Sequence, residues 1–223
     1  MAPKRFGKTP EEYAVAGKDG IHPGWAGQAM MAYAFLSSMG LNGDLGTIEF
    51  DWKAQSAKAT GAHQVASVKD GAVKITSKQY PYCATGAMDD DNSLRSGMSL
   101  VPFHQKLNRL TLKVVGLDGK LAKVTWGQQS KEIAVQELSN GVNLAELFAD
   151  TPFHGAFASV DAAVLAKQTF ETHQVKKIFH GEEGKKDFDK AVAETEAQRQ
   201  PLADAIMTAF VPVEHEIKVE LLN

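Results

Sequence analysis

Apolar residues recur at helical spacing between Pro23 and Gly40. Trp25, Ala29, Ala32, Tyr33 and Leu36 fall on one face, widened by Phe35 and Met39. Pro23 sits in the first turn and Gly40 follows the last, so the pattern predicts a helix over 23–39. Upstream, Thr9-Pro10-Glu11-Glu12 places an N-cap before a proline and predicts a short helix near 10–16. From Thr47 the period shortens to two, with Ile48, Phe50 and Trp52 alternating with Thr47, Glu49 and Asp51. Val65 and Val68, then Asp70-Gly71, then Val73 and Ile75 read as a hairpin. Leu110, Leu112 and Val114, residues 121–126, and Ile133 with Val135 extend the series to five to seven short strands. Residues 79–102 read as a long irregular loop.

Helical spacing returns over 142–148 and 156–179, where Phe157, Val160, Ala163 and Val164 share a face. A charged stretch at 181–186 leads to a polar helix over about 187–209, and Ile217, Val219 and Leu221 alternate as a last strand. The expected fold is α+β: an antiparallel β-sandwich-like domain flanked by helices. Its expected parts are 1–44, 45–150 and 151–223.

Composition narrows the function classes. The 223 residues suffice for one large domain or two small ones, and 43% hydrophobic with 23% charged residues is ordinary for a globular chain. A formal net charge of −3 and no basic stripe interleaved with aromatics give no support to a nucleic-acid or membrane partner. No apolar run reaches membrane-spanning length, no signal peptide is visible at 1–10, and the compartment stays undetermined. Cys83 is the single cysteine, which excludes an internal disulfide.

The densest chemical signal is Asp19-Gly20-Ile21-His22-Pro23-Gly24, just ahead of the predicted helix. An imidazole with a carboxylate three residues earlier supplies the acid–base half of a serine-hydrolase triad. The alternative is an Asp capping its own loop and a polar His before a helix. Ser93, Ser96 and Ser99 in the long loop, and Cys83 beside Tyr80 and Tyr82, are the available nucleophile candidates; solvated loop serines and a small buried cysteine are the plainer accounts. No metal site is expected: His173, His180 and His215 lack ligand spacing, and Asp89-Asp90-Asp91 lacks the glycine and glutamate of a calcium loop. Tyr80, Tyr82 and Trp52 are candidates for a sugar-stacking surface, whereas Trp126 reads as core.

The block Asp19 to Gly24, with Gly27, residues 31–36 and Gly40-Leu41, resembles the final conserved block of SGNH (GDSL-type) hydrolases. Further motifs look like the β-rich extension that follows that block in some bacterial members: Gly46-Thr47-Ile48, Pro102-Phe103, Leu107-Asn108-Arg109, residues 124–127, residues 141–145, Lys167-Gln168, Phe170-Glu171-Thr172, and Val211-Pro212-Val213 with His215. The resemblance implies that residues 1–44 are the remnant of the hydrolase domain, with Asp19 as orienting acid and His22 as general base. It also implies an acylated carbohydrate or short-chain ester as substrate, with no cofactor. The family's Gly-Asp-Ser block has no counterpart: Gly43-Asp44 runs into Leu45, and only eighteen residues precede Asp19. The alternative function is a non-catalytic β-sandwich module that binds carbohydrate or a protein partner. Without the sheet on which the family's last helix packs, the helix at 23–39 can dock on the β domain, pair with a second copy or fray. Self-association as a homo-oligomer is the expectation.

Overall fold

The period-two runs at 47–51, 110–114, 121–126 and 217–221 all lie in strands. The computed structural model describes residues 2–222. In chain order its first elements are α1 (Ala2–Arg5), α2 (Trp25–Ser38), β1 (Asp44–Asp51), β2 (Ser56–Ala59), β3 (His63–Lys69), β4 (Ala72–Ser77), α3 (Leu94–Ser99), α4 (Phe103–Leu107), β5 (Arg109–Val115) and β6 (Leu121–Trp126). Then come β7 (Gln129–Ala134), α5 (Val135–Asn140), β8 (Val142–Asn143), α6 (Leu144–Leu147), α7 (His154–His173), a π-helical segment (Gln174–Phe179), α8 (Glu182–Lys186), α9 (Phe188–Ala209) and β9 (Val213–Leu222). Among the described residues no helix is long and apolar enough to cross a membrane.

The chain divides into two compact units. The first runs to Pro152 and resumes at Glu214; the second is Phe153–Val213. In the first, two open sheets take the orders β2-β1-β5-β8 and β3-β4-β9-β6-β7. The fold is therefore α+β with mostly antiparallel sheets. Asp70 and Gly71 turn the β3–β4 hairpin with φ of 51° and 77°, the left-handed pair that a two-residue turn requires.

One pairing departs from the expected antiparallel pattern. β1 and β5 run parallel, with Ile48 opposite Leu112 and Phe50 opposite Val114. Parallel neighbours need a long crossover, and the hairpin β3–β4 with α3 and α4 supplies it. Alternation in sequence sets which face a side chain occupies; it carries no information on which strand lies beside it. The buried positions are the apolar members of each alternation: Ile48, Phe50, Val73, Ile75, Leu110, Leu112, Val114, Val124, Trp126, Ile217 and Val219. Trp126 is core, its ring edge-on to Phe148 at 5.7 Å. Burial of each such large side chain contributes roughly 1.5–3 kcal/mol.

A polar chain also runs through this core. The Trp126 indole N–H donates to His215 Nδ1 at 3.1 Å, and His215 Nε2 meets Ser77 Oγ at 2.8 Å. Ser77 Oγ lies 2.7 Å from His63 Nδ1, and His63 Nε2 lies 2.8 Å from the Leu45 carbonyl. One assignment satisfies all four contacts: both rings neutral with the proton on Nε2, and the Ser77 hydroxyl donating to His63. His215 is thus part of the interior and not a metal ligand on the surface.

Several helical expectations are corrected. No helix forms over 10–16, although Thr9 and Glu12 exchange capping bonds: Glu12 N–H to Thr9 Oγ1 at 3.3 Å and Thr9 N–H to the Glu12 carboxylate at 2.8 Å. The cap closes one turn, which breaks off before the left-handed Gly17. The stretch 79–102 is not irregular throughout: Ser93 caps α3 by accepting the Ser96 N–H. Over 142–148 the chain forms the short strand β8 before the single turn of α6. The helix at 23–39 is α2, but its apolar residues do not share one face. Ala29 and Tyr33 turn inward toward Ala84, Met98 and Phe103, and buried Ala26 lies against Gly97, whereas Trp25, Met31, Phe35 and Met39 are exposed. Small residues inward let α2 approach α3 closely; the large residues are left outside.

The second unit is built on α7 packed against α9. Val160, Ala191 and Thr195 are buried there. Buried Gln174, at the start of the π-helical segment, donates to Thr195 Oγ1 and to Glu196, both at 2.9 Å. Arg199 joins Glu196 at 2.8 Å and Glu171 at 3.5 Å, so polar bonds hold this helix pair where apolar burial is thin.

Candidate active site

The loop that leads into α2 holds an assembled acid–base pair. His22 Nδ1 lies 2.6 Å from Asp19 Oδ2. Asp19 Oδ1 accepts the backbone N–H of Ile21 at 3.0 Å and of His22 at 2.9 Å, so both carboxylate oxygens are engaged within one tight turn. This is the Asx-turn that a D-x-x-H spacing permits, and it aims the second oxygen at the ring. Gly17 packs against the carbonyl of His22: a Cβ at position 17, where φ is +81°, would lie 2.1 Å from that oxygen.

The electrostatics follow from the bonds. The hydrogen bond from His22, then the two backbone donors, hold the Asp19 carboxyl down at about 2, so it stays an anion throughout the neutral range. An anion at Nδ1 keeps the proton of the neutral imidazole on that nitrogen and leaves the Nε2 lone pair outward. The side chains are 83% exposed for His22 and 53% for Asp19, so the outward nitrogen faces solvent. This arrangement can accept a proton from a hydroxyl brought to Nε2 and stabilise the resulting imidazolium. Among the described residues, no hydroxyl forms a hydrogen bond to His22.

The nucleophile candidates are placed elsewhere with occupied hydrogen bonds. Ser93 caps α3 and donates to the Thr85 carbonyl at 3.2 Å. Ser96 is fully buried, 2.5 Å from the Tyr13 hydroxyl and bonded to the Met88 carbonyl at 2.7 Å. Ser99 donates to the Ser96 carbonyl at 2.7 Å. Cys83 is buried with its thiol on the Pro81 carbonyl at 3.2 Å, and burial pushes its pKa up, away from thiolate. Asp44, in the Gly-Asp-Leu sequence, accepts the Gly46 N–H at 3.0 Å at the start of β1.

The aromatic candidates have separate settings. Trp52 is half-buried and donates its indole N–H to the Val219 carbonyl at 3.2 Å. Tyr80 is buried. Tyr82 is partly exposed, its ring 5.6 Å from that of Phe103 and its backbone held by Asn108 at 2.8 and 3.1 Å. The acidic run is likewise engaged: Asp89 pairs with Lys8 at 3.2 Å, Asp90 accepts the Asn92 N–H at 2.9 Å, and Asp91 accepts the Ala14 N–H at 2.8 Å. Among the described residues, no group of three or more His, Cys, Asp or Glu side chains is arranged to hold a metal ion. Tyr13, Ser96 and Asp91 were invisible as partners in sequence, because each contact spans more than seventy residues.

The class the coordinates define is an α+β fold with two open, mostly antiparallel sheets and an exposed carboxylate–imidazole pair ahead of its first long helix. Among solved structures the chain is similar to a gut microbial diltiazem-metabolizing enzyme, with a TM-score of 0.65 and 20% identity over 99% of this chain and 60% of that chain. The chain thus spans about 60% of that protein's length. At this identity the likeness shows the fold. No family model matches the chain, and no curated protein matches it.

Proposed function

We propose that the chain carries the acid–base half of an SGNH-type ester hydrolase. Asp19 orients His22, and His22 takes the proton of a serine hydroxyl as it attacks an ester carbonyl; the same imidazolium then protonates the leaving alcohol. A water activated by His22 releases the acyl group in the second half of the cycle. The observation that carries this reading is the 2.6 Å contact between Asp19 Oδ2 and His22 Nδ1, with the opposite nitrogen turned to solvent. A loop cap alone requires the Asp19 bonds to Ile21 and His22 backbone; it does not require a ring held by the second oxygen.

The family resemblance of the Asp19–Gly24 block and the two-sheet domain after it support the same reading. Small esters, including acylated carbohydrate, are the proposed substrate class. The structural neighbour's name states that it metabolizes diltiazem. The binding-module alternative needs a shared aromatic surface, and buried Tyr80 with half-buried Trp52 gives it less support.

The test is p-nitrophenyl acetate turnover by the purified chain, alone and with the Gly-Asp-Ser-bearing α/β part of an SGNH hydrolase added. The expected result is slow turnover without an acyl burst for the chain alone, a higher rate on addition, and loss of both on His22→Ala. Rates indifferent to His22→Ala in both settings would overturn the proposal.

A further inference from the structure

The acid–base loop is gripped at both ends by one residue from a distant part of the chain. Asp91 lies in the turn before α3. Its Oδ2 accepts the Ala14 N–H at 2.8 Å, and its main-chain carbonyl accepts the Ala26 N–H at 3.0 Å. Ala14 stands ahead of the loop that holds Asp19 and His22; Ala26 is in the first turn of α2, just behind it. Asp91 therefore closes a bracket around the loop.

The bracket connects to the imidazole through continuous contacts. The Ala14 carbonyl accepts the Gly17 N–H at 2.8 Å, and the Gly17 carbonyl accepts the Gly20 N–H at 3.0 Å. Gly17 lies directly against the His22 carbonyl, where even a methyl group would overlap it. Position 14 thus sets where Gly17 sits, and Gly17 sets the backbone that carries the His22 ring. Asp19 is the only side chain bonded to that ring among the described residues, and both groups are exposed, so little packing fixes their mutual angle. Asp89 and Asp90, the neighbours of Asp91, bond instead to Lys8 and to the Asn92 backbone.

We propose that Asp91 is a positioning residue for the acid–base pair: its carboxylate, bonded to the Ala14 N–H, holds the loop in the shape that keeps Asp19 on Nδ1 of His22. This deepens the hydrolase reading and rests on it for its meaning, since Asp91 touches neither substrate nor reacting atoms. The carbonyl bond to Ala26 survives any side-chain change, so replacing Asp91 loosens the entry to the loop and leaves α2 anchored.

The readout is the tautomer of His22, followed by two-bond proton–nitrogen correlation on the intact chain at a pH where the ring is neutral. In the parent, the proton is expected on Nδ1. Asp91→Ala is expected to lower the Nδ1–H to Nε2–H ratio by on the order of threefold or more, because an unheld imidazole prefers the proton on Nε2. Asp91→Asn keeps an oxygen acceptor for Ala14 and is expected to retain the parent ratio, and so is Asp89→Asn. Should Asp91→Ala lose its fold, Asp91→Glu, which displaces the oxygen by one methylene, is measured in its place with the same loss expected. An unchanged ratio in the folded Ala or Glu variant, or an equal loss in Asp91→Asn, would overturn the positioning role. A parent chain with the proton on Nε2 would instead sink the acid–base reading itself.

Discussion

The indole N–H of Trp126 points at Nδ1 of His215 across 3.1 Å, so that nitrogen must be an acceptor and the buried imidazole must be neutral. Burial, and then the nearby His63, push the His215 pKa down from 6.5 to about 4, and burial lowers that of His63 in the same direction. The sign follows from proton counts. Between the unfolded value near 6.5 and the folded value near 4, the unfolded chain binds a proton at His215 that the folded chain refuses. Stability is therefore full above 6.5 and falls as pH drops through this window. For a depression of that size the loss from His215 alone is about 3 kcal/mol. Urea unfolding at pH 7.5 and at 4.5 should show it. His215→Gln should flatten the slope; a slope unchanged by that substitution would assign the acid sensitivity elsewhere.

Ser77 joins the two imidazoles, and its hydroxyl both accepts from His215 and donates to His63. Ser77→Ala leaves a buried ring N–H and a buried ring acceptor unsatisfied at once. Each costs about 1–3 kcal/mol, so a loss of roughly 2–4 kcal/mol is expected despite the loss of a single oxygen. It should appear as a lower urea midpoint at unchanged slope. A change below about 0.5 kcal/mol would mean that the serine does not bridge the rings.

What the sequence made legible follows from which interactions are local. Asp70-Gly71 announces its hairpin because the turn demands left-handed backbone at two adjacent positions. Asp19 and His22 are readable for the same reason: a carboxylate reaches three residues along its own loop. The parallel match of β1 to β5 is not readable, since Ile48 would alternate identically beside any partner. Nor is the split of α2, where Trp25 and Phe35 look as apolar as Ala29 and Tyr33; the inward face was chosen by the room that α3 leaves. Asp91 was hidden in an acidic run whose other members bond elsewhere.

Gly97 on α3 shows how tight that room is. A Cβ there would come 2.4 Å from the Ala26 carbonyl oxygen and 2.6 Å from the Ala26 Cα. Both are backbone atoms of α2 and cannot swing aside. Gly97→Ala should force the helices apart and cost about 1–3 kcal/mol, as overpacking does elsewhere. Near-neutral thermal stability for this variant would contradict the observed α2–α3 approach.

The outer face of α2 carries Trp25, Phe35 and Met39, each more than half exposed, with Ile21 and Leu41 exposed beside its ends. Monomers seldom leave so many large apolar side chains adjacent in water. A second copy offers a self-complementary surface, so the purified chain is expected to associate as a symmetric dimer. Light scattering across the micromolar range should report a mass rising with concentration toward twice the monomer. Phe35→Glu should disperse it. A concentration-independent monomer would rule the dimer out.

Asp19→Asn tests the chemistry most directly, because the two backbone donors decide how the amide must sit. The N–H groups of Ile21 and His22 both point at Oδ1, so an asparagine must place its oxygen there. Its NH2 group then occupies the position of Oδ2 and donates to Nδ1 of His22. That nitrogen turns acceptor, the ring proton moves to Nε2, and the outward face of the imidazole changes from base to donor. Any ester hydrolysis that depends on His22 should fall by about three to four orders of magnitude while the fold stays intact. The nitrogen shifts of His22 should exchange in the same variant. Retained hydrolysis together with exchanged shifts would show that proton transfer does not pass through this ring.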